Sequence, residues 1–380
     1  MEPKRDIYRA LQKHLDSLPV GFPATKSGEE INILKLIFTE DEAAIVLKMG
    51  YQLEPLDAIY ARIDQSQITK EQLKQKLAEM NGKGGILWVQ RNGIDLYAAM
   101  NFLVGMLEMQ CNRYTPEMAK NTYKYARKAY GFQYLSTPVP QMRVIPIEES
   151  VTPEQNIATY DEMRSILERA EGPIIIGECL CRKGMAMAKN PCTKTTRQHV
   201  CIALNEFAQQ AARTGWGKEV TKQEALESLR QSEAEGLVLQ PSNAQQPEFI
   251  CSCCHCCCGI LLLLKSIPRP ADFVASNYRA EIDPDECVAC GVCVERCQME
   301  ALKLDAKEQV SKVDRARCIG CGVCVKTCAT GAIHLNKKAK EIVPPKTNDD
   351  LYDFIMAHKK NKLQKAAVGM KILLGYVKSS

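Results

Sequence analysis

The chain lacks any long apolar run. Its longest aliphatic stretch, Ile260 to Leu264, is five residues, whereas a membrane span needs about 20. No transmembrane segment is expected. The first ten residues are charged and have no apolar signal core, so the expected location is cytoplasmic. Also missing are a Gly-rich dinucleotide fingerprint, a P-loop and a nucleophile motif. Gly82, Gly84 and Gly85 do not form G-x-G-x-x-G. Catalytic residues are therefore assigned to none, and no flavin or nicotinamide site is expected. Excess charge is also scarce. The net charge is +5, and residues 336–380 hold ten lysines against Glu341, Asp349, Asp350 and Asp353. The rest of the chain is close to neutral, which is not the profile of a general nucleic-acid binder.

Cysteine is what the chain has in excess. There are 19, gathered in short runs. A disulfide framework spreads its cysteines to staple distant loops, and neighbours such as Cys256, Cys257 and Cys258 are poorly placed for that. Clustered thiols imply metal and a reducing compartment. Cys287, Cys290, Cys293 and Cys297 form a C-x2-C-x2-C-x3-C run, repeated 31 positions later by Cys318, Cys321, Cys324 and Cys328. Ile282-Asp283, Gly291-Val292 and Ala301-Leu302 recur as Val313-Asp314, Gly322-Val323 and Ala332-Ile333. Paired zinc knuckles use two short C-x2-4-C pairs across a longer loop, not four cysteines in eleven residues.

Residues 280–336 resemble a bacterial two-cluster ferredoxin. The resemblance implies two [4Fe–4S] clusters with crossed ligands. Cys287, Cys290, Cys293 and Cys328 would hold the first, and Cys318, Cys321, Cys324 and Cys297 the second. The proline that usually follows the fourth cysteine is replaced by Gln298 and Ala329. That proline ligates nothing, so the clusters are still expected. Exposed clusters of this kind are oxygen-sensitive, which suits an anaerobe.

Ten more cysteines precede this unit. Ile174 to Ile176 reads as a short buried strand leading into Cys179 and Cys181. Cys192 lies in a Pro-Cys-Thr loop, and Cys201 is expected near the start of the next helix, beside Leu204, Ala208 and Ala211. These four could converge on a third cluster, with Arg182, Lys183 and Lys189 offsetting its charge. Cys251, Cys253, Cys254, Cys256, Cys257 and Cys258 then fall within eight residues. Six adjacent thiols are reactive, and a core would be better served by Val or Leu, so metal binding is expected. Iron–sulfur ligation suits an all-sulfur set; zinc or Cu(I) is the alternative. His255 is expected outside the ligand set. The arrangement resembles a family of 4Fe–4S binding proteins from anaerobes, which implies clusters and supplies no reaction. The ten thiols could serve two cubanes with two spare, or one larger cluster. Cys111 remains as a small buried hydrophobe.

In the N-terminal third, Thr39 with Glu42 and Thr69 with Gln72 read as capping boxes, and Pro55 opens a short helix between them. Strand-like runs Ile86 to Val89 and Ile94 to Ala98 meet at Arg91-Asn92-Gly93, a hairpin signal. Three helices and a hairpin resemble a winged helix-turn-helix of bacterial regulators. From Glu54 to Met80, however, four basic residues face five acidic ones, which favours packing or docking over DNA reading. Thr152 and Pro153 are expected to open a helix running to Ala170. Asn348 or Thr347 should cap a tail helix, and Ala366, Ala367, Met370, Leu373, Leu374 and Val377 fall at helical spacing on a basic amphipathic segment. It carries no Trp or Phe anchor, which argues against membrane attachment.

The expected fold class is α+β and multidomain. Its parts are a winged helix (27–100), a helical connector with an extended linker (101–150), a cysteine-rich α/β middle domain (151–272), a ferredoxin-like two-cluster domain (273–336) and a C-terminal helix (337–380). The expected cofactors are two [4Fe–4S] clusters with one or two further iron–sulfur clusters. The expected function is electron relay to or from a redox protein partner. A redox-responsive regulator and a metal store are the alternatives.

Overall fold

Side-chain caps set the starts of most N-terminal helices. The computed structural model describes residues 6–151 and 157–379, with side chains as far as 375. Helix α1 (Ile7–Ser17) begins at Asp6, whose carboxylate accepts from the Tyr8 and Arg9 N–H groups. Helix α2 (Glu29–Ile37) follows Gly28. Helix α3 (Glu40–Val46) starts at a reciprocal Thr39–Glu42 box, and β1 (Glu54–Pro55) leads into α4 (Leu56–Tyr60). Helix α5 (Lys70–Gly82) starts at a second box, Thr69–Gln72. Each box satisfies N–H groups that the helix itself leaves free. Strands β2 (Ile86–Arg91) and β3 (Ile94–Ala99) join through Asn92 and Gly93, both at positive φ, as a tight two-residue hairpin turn requires. The sheet order is β1-β3-β2.

Strand β2 is therefore an edge, and an edge exposes unpaired N–H groups. Here the middle of the chain covers it. The Trp88 N–H donates to Gln210 Oε1 (3.0 Å) and the Gln90 N–H to Gln209 Oε1 (2.9 Å). Arg91 forks onto Glu206 (2.5 and 2.8 Å) and also reaches Asp349 (2.7 Å).

After short helical turns, α6 (Pro116–Tyr125) continues through a wider turn into α7 (Gly131–Leu135). Tyr125 and Tyr130 join Phe22 and Phe102 in a buried aromatic group with ring centroids 4.9–5.7 Å apart. The following segment is extended, as its prolines require, but it is buried and not a free linker. The N–H groups of Arg143 and Ile145 donate to Pro241 and Leu239 O, that of Val144 to Ala275 O, and that of Ile147 to Cys321 O. It thus stitches the middle sheet to the ferredoxin-like unit.

The helix expected from Pro153 is shorter. Residues 152–156 lie outside the described residues, and α8 spans Met163–Arg169. Asp161, buried just before it, is held by Arg143 and by Asn277 Nδ2 (2.8 Å), which fixes the chain in a turn there. The middle unit then alternates β4 (Ile174–Glu178), α9 (Leu180–Met187), β5 (His199–Ala203), α10 (Asn205–Arg213), β6 (Gly217–Val220), α11 (Lys222–Ala234), β7 (Val238–Pro241), β8 (Phe249–Cys253) and α12 (Gly259–Lys265). The sheet order is β6-β4-β5-β8-β7, with every pairing antiparallel. Helix α10 is the one whose glutamines cap β2. In the last third, β9 (Tyr278–Ile282) pairs with β12 (Ile333–Lys337), and α13 (Val292–Arg296) precedes the hairpin of β10 (Leu302–Asp305) and β11 (Val310–Val313).

The tail divides. Helix α14 (Asn348–Ala357), capped by Thr347, buries Leu351 and Ile355. Helix α15 (Lys362–Ser379) packs more lightly. Lys365 Nζ donates to Gln133 Oε1 (2.7 Å) and Lys371 sits beside Asp272, while Leu363, Met370, Leu373 and Leu374 are exposed.

The Arg143–Asp161 ion pair is buried, with side chains 0% and 1% exposed. Breaking a buried pair strands a charge and costs about 3–5 kcal/mol. Arg143→Leu is expected to lower the urea midpoint accordingly, while replacing both residues by apolar ones recovers most of the loss. A single variant as stable as the parent would show that the pair is not a structural tie.

Candidate metal centres

The second ferredoxin-type run wraps an internal void. Cys297, Cys318, Cys321 and Cys324 line one small, partly open space, together with Ala280, Met299, Ile319, Val323 and Leu335. The backbone approaches closely because Gly320 and Gly322 have φ of +73° and +75°. A Cβ on Gly320 would lie 2.1 Å from Tyr278 O, and one on Gly322 2.0 Å from Ser150 Oγ. Two N–H groups aim at sulfur: Ala280 at Cys318 Sγ (3.4 Å) and Ala301 at Cys297 Sγ (3.3 Å). Burial pushes the Cys321 thiol up to about 12, so without a metal it stays protonated. Four thiols lining one small apolar space are a fitting donor set for an iron–sulfur cluster.

The first run is more open. Ser311 lies between two of its cysteines. Its N–H donates to Cys287 Sγ, and its Oγ accepts from Cys293 Sγ, both at 3.4 Å. Cys290 is exposed, and Cys328 Sγ lies 3.6 Å from Thr330 Oγ1.

The ten middle cysteines regroup. Cys179, Cys181 and Cys201 do not join Cys192. Instead Cys179 lies beside Cys181 and Cys201 and interacts with both, as Cys181 does with Cys258, Cys258 with Cys253, Cys253 with Cys251, and Cys251 with Cys201. The six close a ring. Cys179 precedes α9 and Cys181 lies in its first turn. Cys201 sits on β5, opposite Gly177 of β4, and not at a helix start. Strand pairing places it there, since α10 begins only at Asn205. Cys251 and Cys253, two apart on β8, share one face of the sheet, and Cys258 immediately precedes α12. Cys192, Cys254, Cys256 and Cys257 form a separate set, their four Sγ atoms all within 4.8 Å of one another.

Arg182 stands between the two sets. It is 1% exposed. Its Nη2 donates to Ser252 O (2.9 Å) and to Cys254 Sγ (3.9 Å), and its Nη1 to Arg197 O (3.3 Å). Among the described residues it has no carboxylate partner. Burial opposes its charge, but Cys179, Cys254 and Cys201 outweigh that and hold its pKa up. A buried guanidinium needs a counter-charge, and Cys254 Sγ is the group within reach that can supply it. The Cys257 hydrogen bond, and then Arg182, bring the Cys254 thiol down to about 5 against the effect of burial. Lys183 does not share this task, being spent on Glu178 (2.7 Å). Cys111 is fully buried, as expected, with Sγ 3.4 Å from Glu178 Oε2.

One contact joins the middle unit to the ferredoxin-like unit at the cysteines themselves. Gln298, which lines the void beside Cys297, accepts on Oε1 from the His255 N–H (3.0 Å) and from Nδ1 (2.6 Å). Its Nε2 donates to Gly236 O (2.7 Å). His255 lies between Cys254 and Cys256 in sequence and is not one of the four grouped donors. The departure from proline at 298 was visible in the sequence; its partner was not.

Residues 280–335 match the family model of the 4Fe-4S dicluster domain. The chain is an iron–sulfur protein. Its C-terminal ferredoxin-like domain ends just before the tail, and the match covers none of the middle cysteines. No curated protein and no solved structure matches the chain. No helix among the described residues is long and apolar enough to cross a membrane.

Arg182→Met is expected to lower the metal retained by the middle unit by half or more, because burying anionic sulfur without a cation is costly. The visible absorbance of the dicluster domain should persist. Metal analysis after anaerobic gel filtration checks this, and equal metal in variant and parent would show the guanidinium to be dispensable.

Proposed function

We propose that this protein is an electron carrier. It relays low-potential electrons between a redox protein partner and metal centres in its middle unit, by way of two [4Fe–4S] clusters. The observation that carries the reading is the Gln298 link. The residue after one proposed cluster ligand, Cys297, is hydrogen-bonded to the residue between two proposed ligands of the middle unit. A ferredoxin unit tethered for independent docking would not need that contact. The void lined by Cys297 with Cys318, Cys321 and Cys324 supports the crossed ligand assignment, and Cys287, Cys290, Cys293 and Cys328 remain for the other cluster. When bound, the clusters supply one-electron chemistry at low potential. The chain's own part is to bury their sulfur, donate N–H groups to it and offset its charge.

The regulator reading is less well supported. Arg91 is spent on Glu206 and Asp349, and the edge of β2 lies under α10. A wing so occupied favours packing over duplex contact. A metal store would present its thiols to solvent, whereas none of the ten middle cysteines is exposed.

Anaerobically purified protein is expected to hold at least about eight iron and eight sulfide per chain. Cys297→Ala should remove the signal of the cluster held by Cys318, Cys321 and Cys324, and spare its neighbour in sequence. Electron paramagnetic resonance of the reduced protein reads this. Loss confined to the Cys287 cluster would contradict the crossed assignment, and zinc without acid-labile sulfide would end the electron-transfer reading.

Gln298→Pro restores the residue usual in ferredoxins and removes both links. The dicluster iron should stay, since that proline position ligates nothing. Reduction of the middle centres after rapid reduction of the dicluster domain should slow several-fold in stopped-flow absorbance. An unchanged rate would show that electrons take another route.

A further inference from the structure

The four-thiol set has the spacing of a site for one ion and not for a cubane. Cys192 Sγ lies 3.6 Å from Cys254 Sγ and 3.7 Å from Cys256 Sγ, and Cys256 Sγ lies 3.8 Å from Cys257 Sγ. Four sulfurs placed about 2.3 Å from one tetrahedral ion are separated by about 3.8 Å. In a [4Fe–4S] cluster each thiolate binds a different corner, which sets the sulfurs roughly 6 Å apart. The chain carries its own comparison. The cysteine quartets of the dicluster domain are not drawn together in this way, and among the described residues Cys192, Cys254, Cys256 and Cys257 are the one group with all donor atoms within 4.8 Å. The six ring thiols interact neighbour to neighbour, and among the described residues they do not converge in this way.

A second observation separates the two sites. Cys254 and Cys257 pack with Leu237 in a small apolar cluster of their own, flanked by Met185, Cys192 and Cys256. Cys201, Cys251, Cys253 and Cys258 belong instead to the main core. Three donors of the four come from one tight turn, in which the Cys257 and Cys258 N–H groups both donate to Cys254 O (3.3 and 3.0 Å). The fourth, Cys192, arrives from the loop after α9, and that loop's far end is pinned by Arg197 to Ser228 and Glu235. Four thiolates around a divalent ion leave a charge of −2, and Arg182, 3.9 Å from Cys254 Sγ, offsets part of it.

We propose that Cys192, Cys254, Cys256 and Cys257 hold a single thiophilic divalent ion, zinc or iron(II), in a tetrahedral site distinct from the six-thiol ring. The ion clamps the loop that follows α9 onto the 254–258 turn, and so holds His255 against Gln298. This rests on reading the middle cysteines as metal ligands, but not on electron transfer.

The test uses the full chain, purified anaerobically with its native metals. Cys192→Ser and Cys256→Ser should each lose about one metal ion per chain, as a single four-ligand site predicts, with acid-labile sulfide unchanged. Loss of zinc or loss of iron identifies the ion. A loss of about four iron with four sulfide would replace the proposal with a cubane, and no loss in either variant would overturn it. X-ray absorption of the unaltered protein decides the matter if the variants do not fold. Where the ion is zinc, a zinc edge with sulfur neighbours alone supports the site, and bound zinc without four sulfur neighbours refutes it. Where no zinc is bound, Mössbauer spectra must contain a one-iron tetrahedral sulfur component, and its absence refutes the site. If sulfide is missing altogether but one ion per chain is still lost in the variants, the electron-transfer reading fails and this site stands.

Discussion

Burying anionic sulfur is the constraint on which the rest of this structure depends. A thiolate taken out of water must find cations, N–H donors or metal. Eighteen of the cysteines lie in the ferredoxin-like unit or the two middle sets, and Cys290 alone among them is exposed. The fold answers with backbone N–H groups aimed at sulfur in the last third and with one buried guanidinium in the middle. Arg182 donates to one set directly, and cysteines of both sets hold its pKa up against the effect of burial.

That demand explains why the units are stitched together and not strung on linkers. The segment around Arg143 to Ile147 bonds to β7, to Ala275 and to Cys321 in turn, so it forms part of the wall for both the sheet and the cluster void. Its buried pair with Asp161 is further tied by Asn277 to Ile342, beyond the ferredoxin-like unit. At the other end, α10 lends glutamines to the open edge of β2 while its apolar face packs on the middle sheet. A single apolar core consequently runs from Leu11 to Leu335. Metal centres enclosed by several units, each incomplete alone, keep water out better than centres on a mobile domain.

Gln298 shows how a departure from a family pattern acquires a role. Proline at that position stiffens a turn and has no N–H to offer. Glutamine gives up the stiffness but supplies an acceptor for His255 and a donor for Gly236. The turn is fixed from outside by hydrogen bonds, and the same bonds bring the two cysteine-rich regions into contact.

Much of this was legible in the chain because it is local. The C-x2-C-x2-C-x3-C repeat, the capping boxes at Thr39 and Thr69, the Thr347 cap and the Asn92-Gly93 turn all depend on residues within a few positions of each other, where spacing alone sets geometry. That the ten middle cysteines are candidate metal ligands was also readable, from their density. Their division into four and six was not. Cys192 is close in sequence to Cys181 and Cys201, yet it joins Cys254, 62 residues away, because antiparallel pairing of β4, β5 and β8 draws Cys179, Cys201, Cys251 and Cys253 to one end of the sheet and leaves the loop free to swing to the turn. The late start of α8 likewise follows from Arg143 and Asn277 claiming Asp161, and the occupied edge of β2 from glutamines more than a hundred residues away. Local spacing sets which residues are competent to bind or to cap. Long-range strand pairing and burial decide which of them meet.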